Sequence, residues 1–223
     1  LPQNGVLIRV HYSSLNYKDV LSASGNKGVT RRYPHTPGID SVGVVVNSES
    51  DKFKVGDKVI CTGYDLGMNT PGGFAEYINV PENWVVPLPE NISMRESMII
   101  GTAGFTAAIG VDEISKHCIP TETNKILVTG ATGGVGIMAV SMLSKLGFNV
   151  TASSGKTDQH DMLRKAGAKE IISREDIDDT SERALLKSKW AGAFDTVGGN
   201  TLATVLKSMN YNGIVTNCGN VAS

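Results

Sequence analysis

Sustained charge of either sign, closely spaced cysteines and long apolar runs are all missing from this 223-residue chain. Its 21 basic and 22 acidic residues leave a net charge of -1 and are spread evenly. No basic patch could therefore neutralise several phosphates in a row, and a nucleic-acid partner is not expected. Cys61, Cys118 and Cys218 lie too far apart for a disulfide framework or a paired metal-ligand motif, which suits a reducing, cytoplasmic setting. No run approaches the roughly 18 apolar residues of a membrane span, and Leu1 to Asn4 lack the charged start and apolar stretch of a signal peptide. No membrane partner is expected either. The remaining composition, 40% hydrophobic and 19% charged with 25 glycines, is that of a globular protein with long loops. The chain opens at Leu1 without a methionine, runs almost at once into the apolar Val6 to Val10 and stops at Ser223 just after another apolar run. We expect a fragment of a longer protein.

The character of the sequence changes near residue 100. Before it, short β-rich runs at Val42 to Val46, Lys58 to Cys61, Phe74 to Val80 and Trp84 to Pro87 are separated by turns such as Val55-Gly56-Asp57 and Pro71-Gly72-Gly73. That pattern predicts a small β-barrel or sandwich. After it, apolar strands alternate with helical patterns: strands at Lys125 to Thr129, Asn149 to Ala152, Glu170 to Ile172, Ala193 to Thr196 and Gly213 to Asn217, with helices around Gln159 to Ala166 and Leu202 to Met209. Repeated strand-helix-strand units predict a doubly wound parallel sheet. The expected division is residues 1–100 and 101–223, with Ile99 to Asn124 as the linker.

The most informative stretch is Ile126 to Gly136, an apolar strand running into Thr129-Gly-Ala-Thr-Gly-Gly-Val-Gly136 and then a helix. Apolar Val135, Met138, Ala139, Met142, Leu143 and Leu146 follow helical spacing, and Gly147 stands where a C-terminal cap belongs. Gly133, Gly134 and Gly136 would let the backbone turn tightly, approach a pyrophosphate and pack the helix on the strand, while the free amides of the helix start face the anion. Thr132, Gly133, Gly134 and Val135 are therefore candidate cofactor contacts. From Ile126 through Thr157 there is no acidic residue, so the acid that would accept a ribose 2′-hydroxyl of NAD is missing. The second strand ends instead in Ser153-Ser154-Gly155-Lys156, whose hydroxyls and cation suit a 2′-phosphate, and Arg174 after the third strand could add a second cation. NADP(H) is the expected cofactor. A short-chain dehydrogenase would carry this glycine motif near its N-terminus with a Tyr-x-x-x-Lys pair downstream. Here more than half of the chain precedes it, and Tyr211, the only later tyrosine, has Val215 four residues on.

Ser13-Ser-Leu-Asn-Tyr-Lys-Asp19, Pro37-Gly-Ile-Asp40, Phe53-Lys-Val-Gly-Asp57, Gly72-Gly-Phe-Ala-Glu76 and Gly101-Thr-Ala-Gly-Phe-Thr106 together resemble the medium-chain dehydrogenase/reductase superfamily. The resemblance covers essentially the whole chain. Ser-Leu-Asn-Tyr-Lys-Asp, Arg31-Arg-Tyr-Pro, Gly-Thr-Ala-Gly-Phe-Thr and Trp190-Ala-Gly-Ala are similar to its quinone-oxidoreductase-like branch, which includes acryloyl-coenzyme A reductases. It implies an α/β protein: a GroES-like β-barrel catalytic domain with a Rossmann domain, both incomplete here, and commonly a homodimer.

Zinc-dependent members of that superfamily carry a cysteine near the position of Asn16 and Gly-His-Glu where this chain has Gly38-Ile39-Asp40. His11, His35, His117 and His160 show no ligand spacing, so no metal is expected. The chemistry is then hydride delivery to an already activated acceptor, an enoyl thioester or a quinone. Asn16, Tyr17 and Asp19 are the catalytic candidates: Asn16 donating to a developing oxyanion, Tyr17 donating a proton or ordering the nicotinamide, Asp19 orienting its neighbours. In the resembling enzymes the matching tyrosine sits beside the cofactor. Thr106 or Thr102 could bond the nicotinamide carboxamide. Val197-Gly198-Gly199 and Cys218-Gly219 follow the fourth and fifth strands, where open α/β sheets bind ligands. Arg31, Arg32 and Lys27 could meet coenzyme A phosphates. The leading expectation is an NADPH-dependent reductase of a short enoyl-CoA such as acryloyl-CoA. The alternatives are a quinone reductase and a non-enzymatic NADPH-binding sensor or structural protein.

Overall fold

A computed structural model describes residues 5–219. The chain divides into two compact units, Leu1–Thr102 and Ala103–Ser223.

The first unit is built on β1 (Gly5–Tyr12), β2 (Asp40–Ser48), β3 (Lys58–Thr62), β4 (Tyr77–Pro81) and β5 (Val85–Pro87), with a short helix α1 (Tyr17–Ala23) after β1. The strands form one antiparallel sheet in the order β4-β1-β2-β3-β5. Inward residues alternate along β1, β3 and β4: Val6 and Ile8, Val59 and Cys61, Ile78 and Val80 are buried. That is the period of a sheet with one face on a core. The run expected to begin at Phe74 becomes a strand only at Tyr77. Ahead of it Gly72 and Gly73 pass so close to other backbone that an added Cβ would stand 2.5 Å from Pro37 and Asp40 atoms respectively, which leaves no room for a regular ladder.

After helix α2 (Met94–His117), the second unit contains β6 (Lys125–Val128), α3 (Gly134–Lys145), β7 (Asn149–Ser153), α4 (His160–Ala166), β8 (Glu170–Ile172), β9 (Trp190–Asp195), α5 (Gly199–Lys207) and β10 (Met209–Asn217). All five strands are parallel, in the order β10-β9-β6-β7-β8. The expected doubly wound sheet is found, and the strand order reverses between β6 and β9. β9 is buried along its whole length, as a central strand covered on both faces must be. The apolar stripe predicted for α3 is rotated. Gly136, Ala139, Val140 and Leu143 form the buried face and Leu146 is 51% exposed, because Gly136 sets the face that approaches the strand.

The segment Ile99 to Asn124, expected as a linker, is mostly helix: α2 runs over Met94–His117 and is interrupted at Gly101, which has φ 47° and ψ -159°. Its length and mean hydropathy of 1.2 over 18 residues would suit a membrane span. Instead it breaks at Gly101, and its Ala107, Val111 and Ile114 belong to the core of the second unit.

Candidate dinucleotide and substrate site

In the first unit, Asn16 stands at the N-terminus of α1 and Tyr17 is its first residue. Tyr17 is 65% exposed. Asp19, the third helical residue, reaches back to accept the Asn16 backbone N–H at 2.8 Å, one half of a capping box. Its other oxygen accepts the backbone N–H groups of Gly38 and Ile39 at 3.1 and 2.9 Å. Asp19 is buried, and both of its carboxylate oxygens hold main chain. The Asn16 side chain donates Nδ2 to Asp40 Oδ2 at 2.9 Å.

Asp40, to which its place in the sequence assigns no chemistry, is the hub of this region. It is fully buried. Besides Asn16 it accepts the Ser14 hydroxyl, the Thr102 backbone N–H at 2.9 Å and the Thr102 hydroxyl at 2.7 Å. Thr102, a candidate for the nicotinamide carboxamide, thus donates its hydroxyl to Asp40. A Cβ on Gly101 would lie 2.7 Å from Ser14 Oγ and 2.8 Å from Asp40 Oδ2, so the interruption of α2 and the Asp40 network require the same glycine. The signal was present: an acid heading the apolar run Asp40 to Val46 must be hydrogen-bonded if that run is buried.

In the second unit the candidates gather at the carboxyl edge of the sheet. Gly130 makes the tight turn after β6 with φ 55°, a role expected of Gly133. Gly133 N–H donates to Gly130 O at 2.9 Å. A Cβ on Gly136 would stand 2.4 Å from Gly130 O, so only glycine lets the first turn of α3 sit on the loop. The amides of Gly134, Val135 and Gly136 open the helix and have no partner within it. Such an open helix start can cradle an anion. At the end of β7, Ser154 is buried and accepts the Lys156 backbone N–H at 3.0 Å. A Cβ on Gly155 would meet Arg174 Nε at 3.0 Å, so Arg174, expected as the weaker contributor, lies directly against this turn. Gly155, Lys156 and Arg174 are exposed there. Beyond β10, Cys218 N–H donates to Asp195 O at 3.0 Å. Partial burial of the Cys218 thiol, then the Asp195 charge, push its pKa up, so it is held as a neutral thiol. A Cβ on Gly219 would overlap Thr196 O. Thr106 lies half-buried on α2, in the second unit, whereas Asn16, Tyr17 and Asp19 belong to the first.

Residues 2–90 match the family described as Alcohol dehydrogenase GroES-like domain, and residues 134–223 match the one described as Zinc-binding dehydrogenase. The chain is 49% identical over 215 residues to YhfP of Bacillus subtilis, named as a proposed quinone oxidoreductase, covering 96% of this chain and 65% of that protein. It is 44% identical to AcuI of Escherichia coli, a probable acrylyl-CoA reductase by name, covering 98% of this chain and 67% of that protein. The chain belongs to the medium-chain dehydrogenase/reductase superfamily. AcuI of Ruegeria pomeroyi, named an acrylyl-CoA reductase, is 43% identical, with 98% of this chain and 66% of that protein covered. Among solved structures, the YhdH oxidoreductase of Salmonella enterica in complex with NADP superposes with a TM-score of 0.94 at 45% identity, covering all of this chain and 68% of that one. YhfP of Bacillus subtilis with NAD bound superposes with a TM-score of 0.91 at 49% identity, covering 98% and 67%. This chain of the superfamily thus spans about two thirds of the length of its relatives. The zinc in the second family's description finds no matching residues: among the described residues no group of three or more His, Cys, Asp or Glu side chains could hold a metal, and Gly38-Ile39-Asp40 supplies no histidine.

Proposed function

We propose that this superfamily member is an NADPH-dependent, zinc-independent reductase of an activated C=C bond, with a short enoyl-CoA such as acryloyl-CoA as acceptor. The observation that carries the cofactor half is the carboxyl edge of the second unit: an open helix start over a glycine turn that admits no Cβ at Gly136, beside a β7 turn, Ser153 to Lys156, that contains no acid and has Arg174 against it. A 2′-phosphate there could pair with both cations. NADPH, when bound, supplies a hydride. The acceptor half is supported by the likeness to the two AcuI proteins.

The chain's own residues suit that chemistry. One N–H of the Asn16 carboxamide is spent on Asp40, which fixes the group and leaves the second to donate to a developing enolate oxygen. Tyr17, exposed beside it, carries a phenol that can donate a proton to the α-carbon. Asp19 acts through the backbone it holds. A quinone acceptor is the second reading, favoured by the likeness to YhfP. A homodimer is the assembly the resemblance implies for either reading, and the widely separated cysteines suit a cytoplasmic setting.

Loss of NADPH absorbance with the full-length protein, run in parallel with acryloyl-CoA and a simple quinone and with NADH as control, tests this. Turnover of acryloyl-CoA with NADPH is the expected outcome. Quinone turnover alone would move the protein to the second reading, and NADPH binding without any turnover would leave a sensor or structural role.

A further inference from the structure

Asp195 closes β9, at the point where the strand order of the parallel sheet reverses, and it is fully buried. Its Oδ1 accepts the Thr129 hydroxyl at 2.5 Å. Its Oδ2 accepts the Gly198 backbone N–H at 2.8 Å and Asn217 Nδ2 at 2.7 Å. Thr129 precedes the glycine turn after β6, Gly198 opens the turn into α5, and Asn217 ends β10. One carboxylate therefore ties together the turns that leave three neighbouring strands. Thr129 adds a second tie: its hydroxyl accepts the Thr196 backbone N–H at 3.0 Å, while the Thr196 hydroxyl donates to Thr129 O at 3.0 Å. The Thr196 hydroxyl occupies the space a Cβ on Gly130 would need.

We infer that Asp195, acting through Thr129, is a positioning residue that presets the spacing between the pyrophosphate turn and the turns beyond β9 and β10. This rests on the reading of the carboxyl edge as a dinucleotide site. A ligand long enough to touch both sets of turns gains from a spacing fixed in advance, because no ordering remains to be done when it binds. A shorter ligand confined to the β7 turn gains nothing. Asp195 need not touch the cofactor to do this.

The test uses the full-length protein and two ligands, NADPH and adenosine 2′,5′-bisphosphate, which carries the 2′-phosphate suited to the Ser154–Lys156 turn and ends at its 5′-phosphate, so that it lacks the half that would reach the turns beyond β9 and β10. Thr129→Val keeps the side-chain shape and removes the hydroxyl, Asp195→Asn places donors opposite donors, and Thr129→Ser restores the hydroxyl. We expect Thr129→Val and Asp195→Asn to weaken NADPH binding about tenfold, as lost buried hydrogen bonds do, with the bisphosphate changed less than about twofold and Thr129→Ser close to wild type. Should Asp195→Asn fail to fold, the two Thr129 variants still decide. Equal weakening of both ligands, or no weakening in a folded Thr129→Val protein, overturns the inference alone. Failure of the wild-type protein to bind NADPH overturns the dinucleotide reading and the inference with it.

Discussion

Asp19 separates two ideas of what a buried acid near a reaction centre does. Its three backbone partners make it a clamp on the start of α1 and on Gly38-Ile39, and removing a carboxylate that holds main chain leaves buried amides without acceptors. Asp19→Ala is expected to destabilise the first unit by about 3 kcal/mol, seen as a lower melting temperature. Tyr17→Phe should leave the melting temperature unchanged, because the side chain is exposed, and lower kcat on an enoyl-CoA by about 100-fold or more with little change in NADPH affinity. Equal turnover in Tyr17→Phe would remove the phenol from the chemistry. At Gly136 the argument is purely steric: Gly136→Ala puts a methyl group 2.4 Å from Gly130 O and should both destabilise the second unit, by about 1–3 kcal/mol, and abolish NADPH binding in a titration.

At the scale of elements, β3 carries a pH dependence of its own. Burial, then the Asp40 charge, push the Cys61 thiol from 9.0 up to about 12. The unfolded chain loses that proton first, so the stability this thiol contributes is complete below about pH 9 and is lost as pH rises towards 12. Melting temperature measured from pH 8 to 11 should fall less steeply in Cys61→Ala than in wild type, although the variant starts lower for want of packing; parallel curves would show that Cys61 does not titrate in this range. The same scale shows what could be read in advance. Strands β3, β6 and β8 were legible because apolar alternation or a short apolar run ends at a turn residue. Helices α1 and α2 were not, because Ser-Leu-Asn-Tyr-Lys-Asp and Gly-Thr-Ala-Gly-Phe-Thr are short of apolar periodicity and rich in loop formers. Their starts were nonetheless written in capping spacings. Asn16 stands three residues before Asp19, and Ser93 before Glu96, where Ser93 N–H donates to Glu96 Oε2 at 2.8 Å and Glu96 N–H to Ser93 Oγ at 3.2 Å. The apolar run after Asp40 signals that this acid is hydrogen-bonded, but the partners of Asp40 and Asp195 come from elements distant in sequence, up to 62 residues away for Asp40 and 66 for Asp195, and no local pattern names them.

Over the whole molecule the two edges of the parallel sheet offer competing places for a ligand. At the amino edge a cavity of about 600 Å³ is lined by Lys125, Glu170, Lys187, Lys189 and Trp190, among others. Its lysines could draw an anion. Yet Lys125 already pairs with Glu170 at 2.8 Å, which holds that carboxyl below its ordinary range, and among the described residues that edge has neither an open helix start nor a glycine turn leading into one, since Gly147 and Gly167 there follow helix C-termini. The carboxyl edge has both, at the reversal of strand order where open α/β sheets take their ligands. Hydrogen exchange of the full-length protein with and without NADPH distinguishes them. Amides whose local opening requires the ligand to leave gain protection of up to about 2.7 kcal/mol at 100 times its dissociation constant, whereas amides that open locally with the ligand still bound gain none. Exchange should therefore slow at Gly130 to Gly136 and Ser154 to Lys156, and stay unchanged at Lys125, Glu170 and Trp190. Slowing confined to the amino edge would transfer the dinucleotide to the lysine-lined cavity and leave the glycine turn with a packing role alone.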